Sequence, residues 1–172
     1  MDPAAFLADL EAKPATLLAL LDRLPAWPEH GNGPIVLAGM GSSFFAADVA
    51  ARRLRRRGIV AVAELASVEA TLPPSSVLTV VGITASGTST ETITLLEAHA
   101  GVSRTIALTN SESASFATDH TVLMHAGVET GGVACRTYLH TLVALLALEQ
   151  SLTGVDLRLG ERLRRASAAI AS

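Results

Sequence analysis

VLTVVGITASGTST (77–90) runs without a break from an apolar, β-branched segment into a loop of hydroxyls. Residues 77–83 carry no charge and show no clean polar–apolar alternation, the pattern of a strand covered on both faces. Residues 84–90 hold five hydroxyls, one glycine and no charge, and Glu91 follows. Two explanations are open. Thr88 or Ser89 can cap a helix that starts there, with Glu91 in its first turn. The hydroxyls and the amides around Gly87 can also converge on an anion. Capping needs one hydroxyl and leaves the others unexplained.

Similar segments recur on either side. Residues 35–38 read as a first strand, followed by Gly39-Met40-Gly41-Ser42-Ser43 and a helix over 43–57. Residues 59–65 read as a second strand, 77–83 as the third with a helix over 89–99, 104–108 as the fourth and 121–124 as the fifth. A loop with a short helix is expected in TNSESASFA (109–117), a long helix over 132–152 and an amphipathic helix over 157–170. Before them, apolar residues at helical spacing over 3–24, interrupted by Pro14, predict two short helices or a kinked one. The Pro- and Gly-rich stretch 24–34 is a loop. Short apolar strands separated by helices predict an α/β fold: a doubly wound, five-stranded parallel sheet of order 2-1-3-4-5 in a three-layer αβα sandwich. Residues 1–30 form a helical lead-in and 31–172 a single domain. In this fold ligands bind beyond the carboxyl ends of the strands, where the order reverses. The loops GMGSS (39–43) and TASGTST (84–90) fall at that point.

The totals exclude several classes. At 172 residues the chain suits one well-cored domain. Its 49% hydrophobic and 17% charged content excludes disorder, and a net charge of −3 gives no general reason to expect nucleic acid or an anionic membrane. The five arginines within 52–57 read as the solvated last turn of a helix. Arg136, His140 and Glu149 interrupt the one long apolar stretch, 133–152, so no membrane span is expected. Cys135 stands alone, which fits a reducing, cytoplasmic setting. The histidines are scattered, so neither a metal nor another cofactor is expected. A dinucleotide reading would use Gly39, Gly41 and Glu64, but Phe44 occupies the place of the third glycine. No Gly-Lys-Ser/Thr occurs, which excludes a Walker A loop.

GMGSSFFAADVA (39–50), VVGITASGTSTETI (80–93) and HAGVETGGVACRTYLHTLVALLAL (125–148) together resemble the signature segments of the sugar isomerase (SIS) domain, in particular those of the isomerase half of glucosamine-6-phosphate synthase. FLADLEAKPATLLALL (6–21) is similar to the family's helical lead-in. The resemblance implies a phosphorylated sugar as ligand. Ser42 and Ser43 would line its pocket, Thr84, Ser86 and Ser89 would hold the phosphate, and Gly87 and Thr88 would supply amides. Ala85 stands where the family has glutamine and Thr88 where it has glutamate, and residues 132–136 only approximate its V-A-S-T-K segment. The implied activity is aldose–ketose isomerisation or deamination through an enediol or enolamine. A non-catalytic sugar-phosphate sensor is the alternative, as is the first half of a two-domain enzyme. Isomerisation needs a base and a ring-opening group. Glu129 is the candidate base, against a structural role in salt-bridging Arg136 or capping the long helix. His140 is the candidate second group, with His125 and Glu69 as further candidates. The resemblance also implies a homodimer or pairing with a second SIS domain.

Overall fold

The computed structural model of the chain describes residues 2–29, 31, 33–68 and 72–171. Glu69, one of the candidate acids, and His30 lie outside the described residues. The chain runs α1 (Pro3–Glu11), α2 (Lys13–Ala19), β1 (Ile35–Gly39), α3 (Ser42–Arg56), β2 (Ala61–Leu65), β3 (Thr79–Thr84), α4 (Thr90–His99), β4 (Arg104–Thr109), β5 (His120–Leu123), α5 (Cys135–Thr153) and α6 (Leu159–Ala171). The strands form one parallel sheet in the order β2-β1-β3-β4-β5, as the sequence pattern predicts.

Successive residues of a strand face opposite sides of the sheet, and both sides here are covered. Ile35, Leu37, Val81, Ile83, Ile106 and Leu108 point to the face packed by α3 and α5. Val36, Ala38, Val80 and Ala107 point to the other face, under Leu95 and Leu96 of α4. That is why the strands read as unbroken apolar runs. The lead-in helices pack on α5 and α6. Leu17 and Leu20 pack with Val143 of α5 and Leu163 of α6, and the Ser167 hydroxyl donates to the Pro14 carbonyl at 3.0 Å. Pro14 lies in the first turn of α2, where a missing N–H costs nothing, so the proline divides two helices.

Some local expectations differ from the structure. The second strand begins at Ala61, two residues later than the pattern suggests. Ile59 is used instead to end α3: its amide reaches the Leu54 carbonyl at 3.1 Å and the Gly58 amide reaches Arg55 at 3.0 Å, with Gly58 at φ 81°. This is a Schellman closure, and it draws Ile59 onto the core. Residues 109–117 contain no helix. A long-range bond from the Asn110 amide to the Ala85 carbonyl and a local one from the Ser111 amide to the Thr109 hydroxyl hold that backbone in an irregular path.

The arginine run is also more than a solvated helix end. Arg53 and Arg57 converge on the buried Glu149 of α5 at 2.6 and 3.2 Å. Arg55 donates to the Ala61 carbonyl at 2.7 Å, and Arg52 pairs with Asp48 one turn earlier. Glu149 is only 2% exposed, whereas the two arginine side chains that meet it are 33% and 42% exposed. The two ends of this contact therefore respond differently to substitution. Glu149→Gln leaves arginines that can rehydrate and is expected to cost about 1 kcal/mol. Replacing both Arg53 and Arg57 by Gln strands a buried carboxylate and is expected to cost about 3 kcal/mol or more. Equilibrium urea unfolding of the two variants measures the difference.

Candidate functional site

β1 and β3 are direct neighbours, with Gly39 opposite Ile83, so their exit loops lie side by side. After β1 the chain turns at Gly41, whose φ of 53° and ψ of −124° suit only glycine, and α3 starts at once. No side chain caps α3. Space is open where a Gly41 side chain would stand. The Ser43 amide donates to the Met40 carbonyl at 3.0 Å. The other first-turn amides of a helix have no partner inside it and carry a partial positive charge, so this start offers donors to an anion. Ser42, exposed, and Ser43, half-buried, belong to that turn.

After β3, Thr84 is buried at the strand end while Ser86 and Thr88 are exposed. Ser89 is the residue that caps α4: its hydroxyl accepts from the Thr92 amide at 3.4 Å and the Thr92 hydroxyl at 3.1 Å, and donates to Glu91. Ser86 and Thr88 are not needed for capping. Their hydroxyls bond each other at 2.7 Å and the Thr88 amide reaches the Ser86 oxygen at 3.3 Å, across the left-handed turn at Gly87. A Cβ on Gly87 would stand 2.5 Å from that of Ala114 and 3.2 Å from that of Ser111, so the irregular loop after β4 backs the turn.

The third loop, after β5, brings together Glu129, Arg136 and His140, with a partner the sequence reading missed. Glu129 caps α5. Its carboxylate accepts the Arg136 amide at 2.7 Å, the Thr137 amide at 2.9 Å and the Thr137 hydroxyl. Burial pushes its pKa up, but bonds from the Thr137 hydroxyl, the two amides and Cys135 outweigh that and hold it below the usual range. Arg136 does not pair with Glu129. It pairs with Asp9 of α1 at 2.8 Å and donates to the Val128 carbonyl. The other Asp9 oxygen accepts the amides of Thr130 and Gly131 at 3.0 and 2.7 Å. The Gly131 amide is the main cause of a lowered Asp9 pKa; burial opposes it, while the Thr130 amide and Arg136 add to it. The one signal for Asp9 in the sequence is a carboxylate three residues after Phe6, on the apolar side of a helix.

His140 is fully buried. Its Nδ1 lies 3.0 Å from the Met124 carbonyl and so carries the proton, leaving Nε2 enclosed without a partner. Burial above all holds this imidazole neutral; Met124 and Glu129 oppose the shift, and Arg136 and His125 reinforce it. Glu64 of β2 is half-buried, with one oxygen enclosed and unpaired and its pKa raised by burial. Among the described residues no cluster of His, Cys, Asp or Glu is placed to hold a metal ion, and no helix is long and apolar enough to cross a membrane.

The molecule is a doubly wound α/β sheet with two glycine-bearing helix starts at its switch point. The SIS domain family matches residues 31–149, and the chain belongs to that family. No curated protein matches the sequence significantly. Among solved structures, it is similar to the C-terminal domain of glucosamine-fructose-6-phosphate aminotransferase from Francisella tularensis, with TM-score 0.79 and 16% identity over 95% of this chain and 53% of that one. Glucosamine-6-phosphate deaminase from Thermotoga maritima aligns with TM-score 0.78 and 16% identity over 95% and 54%. Tagatose-6-phosphate ketose/aldose isomerase from Escherichia coli aligns with TM-score 0.70 and 18% identity over 95% and 52%. The chain thus spans about half the length of these proteins, and at such identities the likeness shows the fold.

The buried histidine yields a signed pH dependence. Folded His140 resists protonation, whereas the unfolded residue takes up a proton near its ordinary pKa of 6.5. The unfolded state then binds more protons as the pH falls, so stability is full above about pH 6.5 and declines below it. His99 and His125, both lowered chiefly by burial, act in the same direction. His140→Asn, which retains a donor for Met124, is expected to flatten the decline without abolishing it. Urea unfolding at about pH 7.5 and about pH 5 compares the slopes.

Proposed function

We propose that this chain binds a phosphorylated sugar, with its phosphate between the starts of α3 and α4. The observation that carries the reading is the pair of adjacent helix starts, one without a side-chain cap, beside the Gly87 turn and its two exposed hydroxyls. Ser42 and Ser43 would approach the ligand from one side. Ser86, Gly87 and Thr88 would approach from the other, where the Ser86–Thr88 bond can open to give two donors to an anion. Thr84 and Ser89 support that loop from the strand end and the helix cap. No lysine or arginine is required, because oriented amides and hydroxyls suffice for a phosphate dianion at a helix start.

The chain's part in chemistry is proposed as that of a phosphosugar isomerase or deaminase domain working through an enediol or enolamine. The names of the similar structures favour this class. For Glu129 to act as base it would have to release the amides it caps, and His140 has no free path to a ligand. The surroundings of both residues therefore favour a base supplied by a second domain or a second copy of this chain. A dimer, or pairing within a longer protein, fits the half-length alignment to the isomerase and deaminase. A reducing compartment fits the single cysteine.

Fructose 6-phosphate is expected to raise the unfolding temperature of the protein. The variant Ser86→Ala with Thr88→Val is expected to weaken its binding by about tenfold to a hundredfold, the worth of one or two hydrogen bonds to a charged group. Isothermal titration provides the test, and equal affinity in the variant would reject this placement of the phosphate. Deuterium uptake from solvent into the sugar separates the two functional classes, since a sensor binds without exchange.

A further inference from the structure

His125 is the one residue between β5 and α5 that holds a left-handed backbone without being glycine, at φ 56°. A side chain in that region is disfavoured and persists only where the surroundings impose it. The surroundings here do so from both sides. On the amino side, the Met124 amide is tied to the Thr109 carbonyl at 2.8 Å, and the Met124 carbonyl is held by His140 Nδ1 at 3.0 Å. On the carboxyl side, the Asn110 side chain bridges two backbone groups, accepting the Ala126 amide at 2.7 Å and donating to the Gly127 carbonyl at 2.7 Å. With both neighbours pinned, the peptide at His125 cannot relax. His140 and Asn110 thus acquire a purpose that needs no direct contact with a ligand.

The constrained residue lines a cavity of about 390 Å³, with Asn110, Ser111, Glu112 and Ser113 as its polar lining and Leu123 and Val128 as its apolar lining. One of these residues, Ser111, also stands 3.2 Å from where a side chain at Gly87 would begin, so the cavity lies next to the Gly87 turn. The lining offers hydroxyls, an amide, a carboxylate and an imidazole within one concave surface. Hydroxyls, an amide and an imidazole beside apolar side chains suit a polyhydroxylated carbon chain, and the Glu112 carboxylate disfavours a second phosphate there.

We propose that this cavity receives the hydroxyl- and carbonyl-bearing part of the sugar whose phosphate sits at the Gly87 loop, and that His125 is the side chain that recognises it. The inference rests on the phosphosugar reading above and specifies which surface reads the sugar. His125 presents a neutral ring, which can both donate to and accept from a sugar hydroxyl. Its pKa is lowered by burial and by Arg23, with Glu112 opposing. Those two groups and His140 are the charged or titratable side chains acting on it from the lead-in, from the loop after β4 and from α5.

Two substitutions separate recognition from structure. His125→Gly removes the ring and the backbone strain together, so it is expected to raise the unfolding temperature, by about 2–4 °C. His125→Asn removes the ring and keeps a residue that tolerates the left-handed region. Both are titrated with fructose 6-phosphate and with inorganic phosphate. The expected result is a loss of about tenfold or more for fructose 6-phosphate, with inorganic phosphate bound as by the wild type. Undiminished binding of fructose 6-phosphate by both variants overturns the proposal while leaving the phosphate site in place. An equal loss for both ligands also overturns it, by making His125 part of the loop's scaffold. A wild-type protein that binds neither ligand removes the phosphosugar reading itself, and this proposal with it.

Discussion

The site depends on an absent side chain. At Gly39 an added Cβ would stand 2.7 Å from the Ser43 Cβ and 2.9 Å from the Ile83 carbonyl oxygen. Only a glycine lets the first turn of α3 fold back against the ends of both β1 and β3. From that close approach follow the sharp turn at Gly41, the immediate start of α3 and the juxtaposition of two helix starts at the switch point. The parallel register between Gly39 and Ile83 then decides that the hydroxyl-bearing loop lies beside the serines rather than a strand away.

A second layer of polar contacts gives the loops their shape. Asp9, Arg136 and Glu129 contribute most of their hydrogen bonds to backbone groups of residues 128–137. A buried ion pair such as Asp9–Arg136 is weak evidence for stability, because desolvation offsets much of its attraction. Its effect here is geometric: it ties the lead-in helix to a loop that would otherwise have unpaired amides beneath the surface. Phe6 reinforces this, since its backbone lies where a Gly131 side chain would be. The lead-in is therefore part of the frame that holds the third loop.

This division of labour bears on chemistry. The groups best placed to meet an anion are uncharged, namely exposed hydroxyls and helix-start amides, whereas Arg136 is committed to Asp9, and Arg53 and Arg57 to Glu149. A net negative chain can bind a phosphate under those conditions, because the field that matters is local. The carboxylate and the imidazole that sequence alone suggests for proton transfer are both engaged in holding backbone.

The order of strands and helices was legible in the sequence because it rests on local pattern. Unbroken apolar runs such as 77–83 report burial on both faces, and a glycine between hydroxyls at 86–88 reports a turn with converging donors. The family segments were legible for the same reason. The short helix expected in 109–117 shows the limit of that reading, since long-range bonds to Ala85 and to residues 126–127 hold the segment in another path. The tasks of individual polar residues were decided by tertiary structure alone. Whether Arg136 meets Glu129 or Asp9, and whether Arg53 faces water or Glu149, depend on partners far along the chain. Hydrophobic periodicity is written into consecutive residues. The partner of a buried charge is set by the desolvation it must avoid, and that is known only once the chain has closed around it.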